Sequence, residues 1–184
     1  MSKPVICIGA ALVDELFHAT SELLLSTTTD ATVTKTTGGV SRNIAQQLAL
    51  FNVPVQLITA VGDDSDGDWL KQSCSKAGVK LDATITRKGL SGKYTGILNV
   101  DGSLHTAFLT NAANHLITPE HLAKNIDLLK TASYLLGDAN INVDTAEWLL
   151  AFSKETGIPF VIEPVSVPPA KKFRDVNLDG LHLI

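Results

Sequence analysis

The densest group of ligand-binding residue types is the segment Gly38-Gly39-Val40-Ser41-Arg42-Asn43. Two successive glycines let the backbone turn tightly and approach a ligand. The amphipathic helix predicted for Ser41–Phe51 begins directly after them, so its first N–H groups lack partners within the helix. Asn43, in the first helical turn, can both donate and accept hydrogen bonds, which suits a sugar diol. A tight turn without a ligand is the alternative interpretation of these residues taken alone.

Three further polar side chains follow predicted core strands. Asp138 and Asn140 come after the strand Tyr134–Leu136, and Glu163 comes after Phe160–Ile162. Open α/β sheets bind their ligands at the carboxyl ends of parallel strands. These three residues are therefore candidates for ligand contact.

Short apolar runs alternate with helical patterns along the chain, which predicts an α/β fold with a mostly parallel sheet covered on both faces. Apolar strands are predicted at Val5–Gly9, Val55–Val61, Tyr134–Leu136, Phe160–Ile162 and Leu181–Ile184. Helices are predicted at Ser41–Phe51, from a cap at Asp66 to Gly78, from Thr118-Pro119 to Leu129, and at Asp144–Thr156 before Gly157.

Two polar stretches, roughly residues 14–37 and 90–110, do not fit this core. They are predicted to form a small sheet that stands off the main one, as a lid would. Ala83–Arg87, Tyr94–Val100 and Leu104–Leu109 are predicted as antiparallel strands, with Asp101-Gly102 as the hairpin turn between the last two.

Composition excludes several classes of protein. The 184 residues are 45% hydrophobic and carry a net charge of −4, which excludes a disordered chain and argues against a nucleic-acid binder with a basic stripe. Apolar runs such as Trp148–Phe152 are far shorter than the roughly 20 residues that span a bilayer, and the N-terminus has no signal-peptide pattern. Cys7 and Cys74 are predicted to be reduced core thiols of a cytoplasmic protein. The five His residues lack zinc-ligand spacing.

The glycine segment, read on to Gln46 as Gly38-Gly39-Val40-Ser41-Arg42-Asn43-Ile44-Ala45-Gln46, is followed by Val61-Gly62-Asp63-Asp64 and Gly67. This series resembles the N-terminal signature of the ribokinase-like (PfkB) carbohydrate kinase family. The Gly-Gly-Val-x-Arg-Asn-Ile-Ala-Gln form is most similar to the pseudouridine kinase branch. Ser91–Gly102, Asp138-Ala139-Asn140 and Glu163-Pro164-Val165-Ser166 resemble that branch in the same order.

The resemblance implies a ribokinase-like αβα sandwich with a mostly parallel central sheet and a protruding β-sheet lid. It also implies ATP and magnesium, often a potassium ion, and transfer of the γ-phosphoryl group to a primary hydroxyl. The substrate expected from the branch is a ribose-containing small molecule, pseudouridine, phosphorylated at its 5′-hydroxyl. A homodimer through the lid is the expected assembly. Ribokinase or fructokinase activity is the alternative within the family.

The resemblance also assigns roles to individual residues. It places substrate contacts at Asp14, Gly38, Gly39, Asn43, Lys93 and Asn111, and positions near phosphate or magnesium at Asp138, Asn140 and Glu163. A carboxylate such as Asp14 can accept hydrogen bonds from two adjacent hydroxyls. No residue is expected to ligate a metal directly. Arg42 is either a surface residue or the partner of an acid near the site.

Kinases of this family carry a later Asp-Thr-x-Gly-Ala-Gly-Asp segment, whose glycines form an anion hole and whose last Asp accepts the proton of the attacking hydroxyl. The 184 residues contain no such segment. We therefore expect residues 1–184 to be the N-terminal part of a single kinase domain, inactive alone, with the catalytic base beyond Ile184. The alternative is a complete, non-catalytic module for sugar or nucleoside binding or for dimerisation.

Overall fold

The structure is a computed structural model that describes residues 2–183. Its strands are β1 (Val5–Ile8), β2 (Leu12–Ala19), β3 (Ala31–Gly38), β4 (Val55–Ile58), β5 (Ala60–Gly62), β6 (Ile85–Arg87), β7 (Lys93–Leu98), β8 (Leu104–Thr110), β9 (Tyr134–Asp138), β10 (Phe160–Glu163) and β11 (Leu181–Leu183). Its α-helices are α1 (Val40–Leu50), α2 (Ser65–Lys76), α3 (Pro119–Lys124), α4 (Ile126–Leu129), α5 (Val143–Thr156) and α6 (Val167–Ala170). The last predicted strand extended to Ile184, which lies outside the described residues.

A five-stranded parallel sheet in the order β11-β10-β9-β1-β4 forms the centre of the protein. Alternate residues of β1 face opposite layers: Ile6 and Ile8 pack with the α3–α5 side, and Cys7 packs with α1 and α2. Both faces are covered at β1 and β4, whose residues are almost all buried, whereas Leu183 of the edge strand β11 is 61% exposed. The predicted α/β class is confirmed. Cys7 and Cys74 are buried free thiols, as predicted.

A second sheet, here called the small sheet, has the strand order β3-β2-β7-β8. Its strands β2 and β3 are antiparallel, β2 and β7 are parallel, and β7 and β8 form the predicted antiparallel hairpin. The chain passes from β1 into β2 through Gly9-Ala10-Ala11, and the Val13 N–H donates to the Gly92 carbonyl. The small sheet therefore leaves the core at the carboxyl end of β1.

The predicted strand Val55–Val61 is two strands in different sheets. β4 belongs to the central sheet, whereas β5 pairs with β6 in a separate two-stranded ladder. This pairing is parallel, so the predicted antiparallel arrangement of Ala83–Arg87 is wrong. The reason is that α2 lies between β5 and β6 as a crossover, and a crossover returns the chain in the same direction.

Helix ends follow the capping rules, with one shift from the prediction. Thr118 caps α3 before Pro119, and Gly157 ends α5 at φ 71°. The cap of α2, however, is Asp64 and not Asp66. The Asp64 carboxylate accepts from the Gly67 N–H at 2.8 Å, while Asp66 pairs with Lys35 of β3. None of the helices within residues 2–183 has the length and apolarity needed to cross a membrane.

Candidate functional site

A cleft of about 600 Å³ opens between the small sheet and the carboxyl ends of the central strands. The small sheet contributes one wall, with the side chains of Leu12, Asp14, Leu16, Thr36, Tyr94 and Leu109. The core contributes the other wall, with Gly39, Val40, Asn43, Asn140, Val165, Ser166, Pro168 and Pro169. The cleft therefore lies where open α/β sheets bind their ligands.

Strand alternation selects the residues of the small-sheet wall. Successive side chains of a strand point to opposite faces, so Leu12, Asp14 and Leu16 share the face toward the cleft. Asp14 is paired across the sheet with Thr36 on one side and Tyr94 on the other. The Asp14 carboxylate thus lies among the Thr36 hydroxyl, the Tyr94 ring and the aliphatic side chains of Leu12 and Leu16.

Asp14 depends on the glycine beside it. A Cβ atom at Gly38 would overlap the Asp14 carboxylate, so glycine at this position leaves room for that side chain where it lies in the structure. Asp14 is half-buried, and burial raises the pKa of its carboxyl group, while the positive charge of Arg42 opposes the rise. Holding the charged carboxylate in the cleft therefore costs part of its hydration free energy.

Gly39 makes the turn into α1. Its φ is 99°, and a Cβ there would overlap the Ala10 carbonyl. The Asn43 N–H donates to the Gly39 carbonyl at 2.8 Å and closes the first helical turn. Gly39 is thus required by its backbone conformation and by the Ala10 carbonyl, and Asn43 reaches the cleft from this turn.

Asp138, expected near phosphate or magnesium, is engaged by backbone N–H groups. Its side chain is completely buried, and it accepts hydrogen bonds from the N–H groups of Ala10, Ser41 and Asn140, each at 2.9 Å. Burial raises the pKa of the Cys7 thiol to about 12, and the nearby negative charge of Asp138 adds to the rise. Two of the first N–H groups of α1 are also engaged, because the Ser41 N–H donates to Asp138 and the Arg42 N–H donates to the Ala10 carbonyl.

Two residues expected at the substrate are not part of the cleft lining. Lys93 is next to Tyr94 on β7, so its side chain projects from the opposite face, where its Nζ lies 3.5 Å from Glu15 and 3.4 Å from Asp66. Asn111 follows β8 but is not among the residues that line the cleft. Its Oδ1 is buried with no hydrogen-bond partner among the described residues.

Of the two remaining candidates, Asn140 lines the cleft and Glu163 hydrogen-bonds a residue of the cleft wall. Glu163 accepts a hydrogen bond from the Val165 N–H at 2.8 Å, and Val165 has a φ of 65°, which is rare for a β-branched residue. Glu163 thus holds the strained turn that carries Val165 and Ser166 into the cleft wall. Within residues 2–183, no three or more His, Cys, Asp or Glu side chains come together as a metal site.

Several cleft residues were missed by sequence reasoning, chiefly Leu12, Leu16, Thr36, Leu109 and Pro168. The period-2 spacing of Leu12, Asp14 and Leu16 was the signal available for the first strand. No comparable signal exists for Leu109 or Pro168, because they reach the cleft only through the hairpin and the turn after β10.

Comparisons with known proteins show the family and the fold. The model of the pfkB family of carbohydrate kinases matches residues 2–183. The pseudouridine kinase of Escherichia coli K12 is 29% identical over 181 residues, which are 98% of this chain and 57% of that protein.

Solved structures share the fold. A carbohydrate kinase from Agrobacterium tumefaciens superposes with a TM-score of 0.88 at 24% identity, over 100% of this chain and 60% of that one. The Arabidopsis thaliana ribokinase complexed with ribose and ATP superposes with a TM-score of 0.81 at 21% identity, over 91% of this chain and 55% of that one. The chain thus spans little more than half the length of these relatives.

The hydrogen bonds of Asp138 predict a large stability effect. Asp138→Asn replaces one acceptor oxygen by an NH₂ group facing backbone N–H donors, so we expect the free energy of unfolding to fall by about 3 kcal/mol. Urea denaturation measures the change. Asp175→Asn is the matched control, since that carboxylate is 86% exposed and should change stability by no more than about 0.5 kcal/mol. Equal effects of the two substitutions would contradict the role given to Asp138.

Proposed function

Because the chain belongs to the pfkB family of carbohydrate kinases, we propose that it binds the substrate in the ATP-dependent phosphorylation of a ribose-containing nucleoside, with pseudouridine as the first candidate. The observation that carries the proposal is the meeting of Asp14 and Asn43 in one cleft beside Gly38-Gly39. A carboxylate and an amide side chain in the same cleft suit a ligand with two neighbouring hydroxyl groups.

The polar end of the cleft offers complementary hydrogen bonds to a ribose. The Asp14 carboxylate accepts from hydroxyl groups, and a charged acceptor makes the stronger kind of hydrogen bond. The Asn43 side chain can donate, and Asn140 adds a second amide to the same cleft. These groups bind and orient the sugar so that one hydroxyl is presented for phosphorylation.

The remaining walls favour a nucleoside over a free sugar. Tyr94 and Leu109 from the small sheet face Val165 and Pro168 from the core, so much of the cleft is apolar. A nucleoside has a polar sugar and a flat base that can be packed between such walls, whereas a free sugar carries hydroxyls all round. The 29% identity to a pseudouridine kinase supports the same choice.

We extend the proposal to ATP as the phosphoryl donor, because the related ribokinase structure is a complex with ribose and ATP. The acids expected near phosphate or magnesium are engaged in this chain, Asp138 by three backbone N–H groups and Glu163 by Val165. We therefore assign no residue to magnesium or potassium and no residue as the base. Phosphoryl transfer depends largely on positioning, and the part of this chain is to hold the acceptor and, with the small sheet as a lid, to exclude water.

We also propose that the chain forms a homodimer through the outer face of the small sheet, the face opposite the cleft. Phe17 is paired there with Val33 and Ile97, and Phe108 lies on the neighbouring strand opposite Thr95. Val33 and Phe108 are more than half exposed. A contiguous apolar face on an exposed sheet is typical of a protein–protein interface.

We also propose that the protein is cytoplasmic, because its two buried free thiols, Cys7 and Cys74, suit a reducing compartment.

The dimer is tested by one charge on the outer face of the small sheet. Phe108→Glu places a carboxylate where the partner's apolar face would pack, so we expect sedimentation velocity to show a monomer in place of a dimer. Phe51→Glu is the matched control, because Phe51 is 76% exposed at the end of α1 and lies outside the small sheet. A monomeric parent protein, or a dimer that survives Phe108→Glu, would contradict the proposed interface.

The proposed function is tested by titration calorimetry with pseudouridine, uridine and ribose, followed by an ADP-release assay with the same compounds. Binding of a nucleoside with ADP formation supports the kinase. Binding without ADP formation is the result expected of a substrate-binding part that lacks the Gly-Ala-Gly-Asp segment, and it fits a non-catalytic binding module as well. Preference for ribose indicates a sugar kinase, and no binding of any of the three contradicts the proposal.

Asp14→Asn should separate binding from stability. The raised pKa of Asp14 means that the folded state retains this proton better than the unfolded state, so the carboxylate lowers stability as pH rises through that pKa. We expect Asp14→Asn to be more stable than the parent at pH 7, with a difference that vanishes below the ordinary aspartate pKa. Nucleoside affinity should fall about tenfold or more, because a hydrogen bond to a charged acceptor is lost.

Thermal unfolding across pH and calorimetry measure the two effects. Glu15→Gln is the control, because Glu15 lies on the same strand but projects from the opposite face, and its substitution should leave nucleoside affinity unchanged. Unchanged affinity in Asp14→Asn would remove Asp14 from the site.

A further inference from the structure

Arg42 is neither a surface residue nor a simple ion-pair partner. It is 4% exposed, and its guanidinium lies between the end of β3 and the first turn of α1. Burial lowers the pKa of Arg42, yet a guanidinium stays charged throughout the ordinary pH range. A buried cation requires hydrogen-bond acceptors around it.

Four acceptors surround the Arg42 guanidinium. Nε donates to the Gly38 carbonyl at 2.9 Å, and Nη2 donates to the Thr37 carbonyl at 2.6 Å. Nη1 donates to Gln46 Oε1 at 2.5 Å, and Nη2 also donates to Asn43 Oδ1 at 2.6 Å. The planar fork of an arginine can satisfy all of these directions at once.

The contact with Asn43 decides which end of its carboxamide meets the cleft. A carboxamide has one acceptor end and one donor end, and Oδ1 is held by Arg42. Nδ2 is then the end left for the cleft that Asn43 lines, and it takes part in no hydrogen bond among the described residues. The opposite orientation would direct an NH₂ group at the guanidinium, donor against donor.

We propose that Arg42 is a positioning residue that fixes Asn43 with its amide NH₂ group toward the ligand, so that the site presents one donor and one acceptor, from Asn43 and Asp14. This inference rests on the proposed function and deepens it. A ligand with two neighbouring hydroxyls matches the pair, because one hydroxyl donates to Asp14 and the other accepts from Asn43. A ligand with two neighbouring acceptors or two carboxylates does not match.

The direct test needs no ligand. Arg42→Lys retains the positive charge near Asp14 but replaces the planar fork by a single ammonium group, which cannot reach all four acceptors. Side-chain ¹⁵N relaxation of the Asn43 NH₂ group should give a clearly lower order parameter in Arg42→Lys than in the parent. Gln46→Ala is the matched control, because it removes another partner of Arg42 without touching Asn43 and should leave the Asn43 order parameter unchanged. An equally rigid Asn43 side chain in folded Arg42→Lys would overturn the proposal.

The ligand test uses pseudouridine and a double-mutant cycle. We expect Arg42→Lys and Asn43→Ala each to weaken binding about tenfold, and the double variant to be no weaker than Asn43→Ala, because Arg42 acts through Asn43. Additive losses would overturn the proposal. If the parent binds no nucleoside, the proposed function fails, while the relaxation measurement still decides whether Arg42 orients Asn43.

Asn43→Asp keeps the test decisive if Arg42→Lys does not fold. Its carboxylate preserves a partner for Arg42, so we expect stability to be at least that of the parent. It offers the ligand no donor, so pseudouridine affinity should fall at least tenfold. Parent-like affinity in a folded Asn43→Asp protein would show that no donor is used at this position and would overturn the proposal.

Discussion

The rest of the site depends on one buried carboxylate, that of Asp138. It accepts hydrogen bonds from three backbone N–H groups, which lie in the turn after β1, at the start of α1 and after β9. A buried charge is tolerated only when donors surround it, and these donors belong to three different segments. Gly9 leaves space for the same side chain, since a Cβ there would lie 2.6 Å from Asp138 Oδ1. The carboxylate therefore fixes the point at which the small sheet leaves the core.

In the small sheet, the alternation of side chains along each strand places different polar residues on the two faces. Asp14 and Tyr94 face the cleft, whereas Glu15, Lys35 and Lys93 face outward. Asp66 of α2 contacts both lysines, so a group of charges links the base of the small sheet to the core. These pairs are only partly exposed, with Asp66 at 15%, and they connect the small sheet to α2 on the side opposite the cleft.

Short-range contacts around α1 then set the polarity of the cleft. Gly38 gives the Asp14 carboxylate its space, and Arg42 holds the Gly38 carbonyl and the Asn43 amide. These contacts place an acceptor, the Asp14 carboxylate, and a donor, the Asn43 NH₂ group, in the same cleft. The strained Val165, held by Glu163, supplies the opposite apolar wall.

The resemblance to a kinase family singled out Asp14 and Asn43 as candidates. The sequence by itself determined the α/β class, most strand and helix positions, and the glycine turn before α1. These features depend on local periodicity, capping and backbone sterics, which a few neighbouring residues decide. Only the tertiary structure decided that Asp138 accepts from three backbone N–H groups, that the Lys93 side chain projects from the face opposite the cleft and that Arg42 is buried. These outcomes depend on which segments meet across the fold, because a carboxylate is free or engaged according to donors as much as 128 residues away. The same holds for β5, whose partner is chosen by the crossover through α2 and not by its own apolar residues.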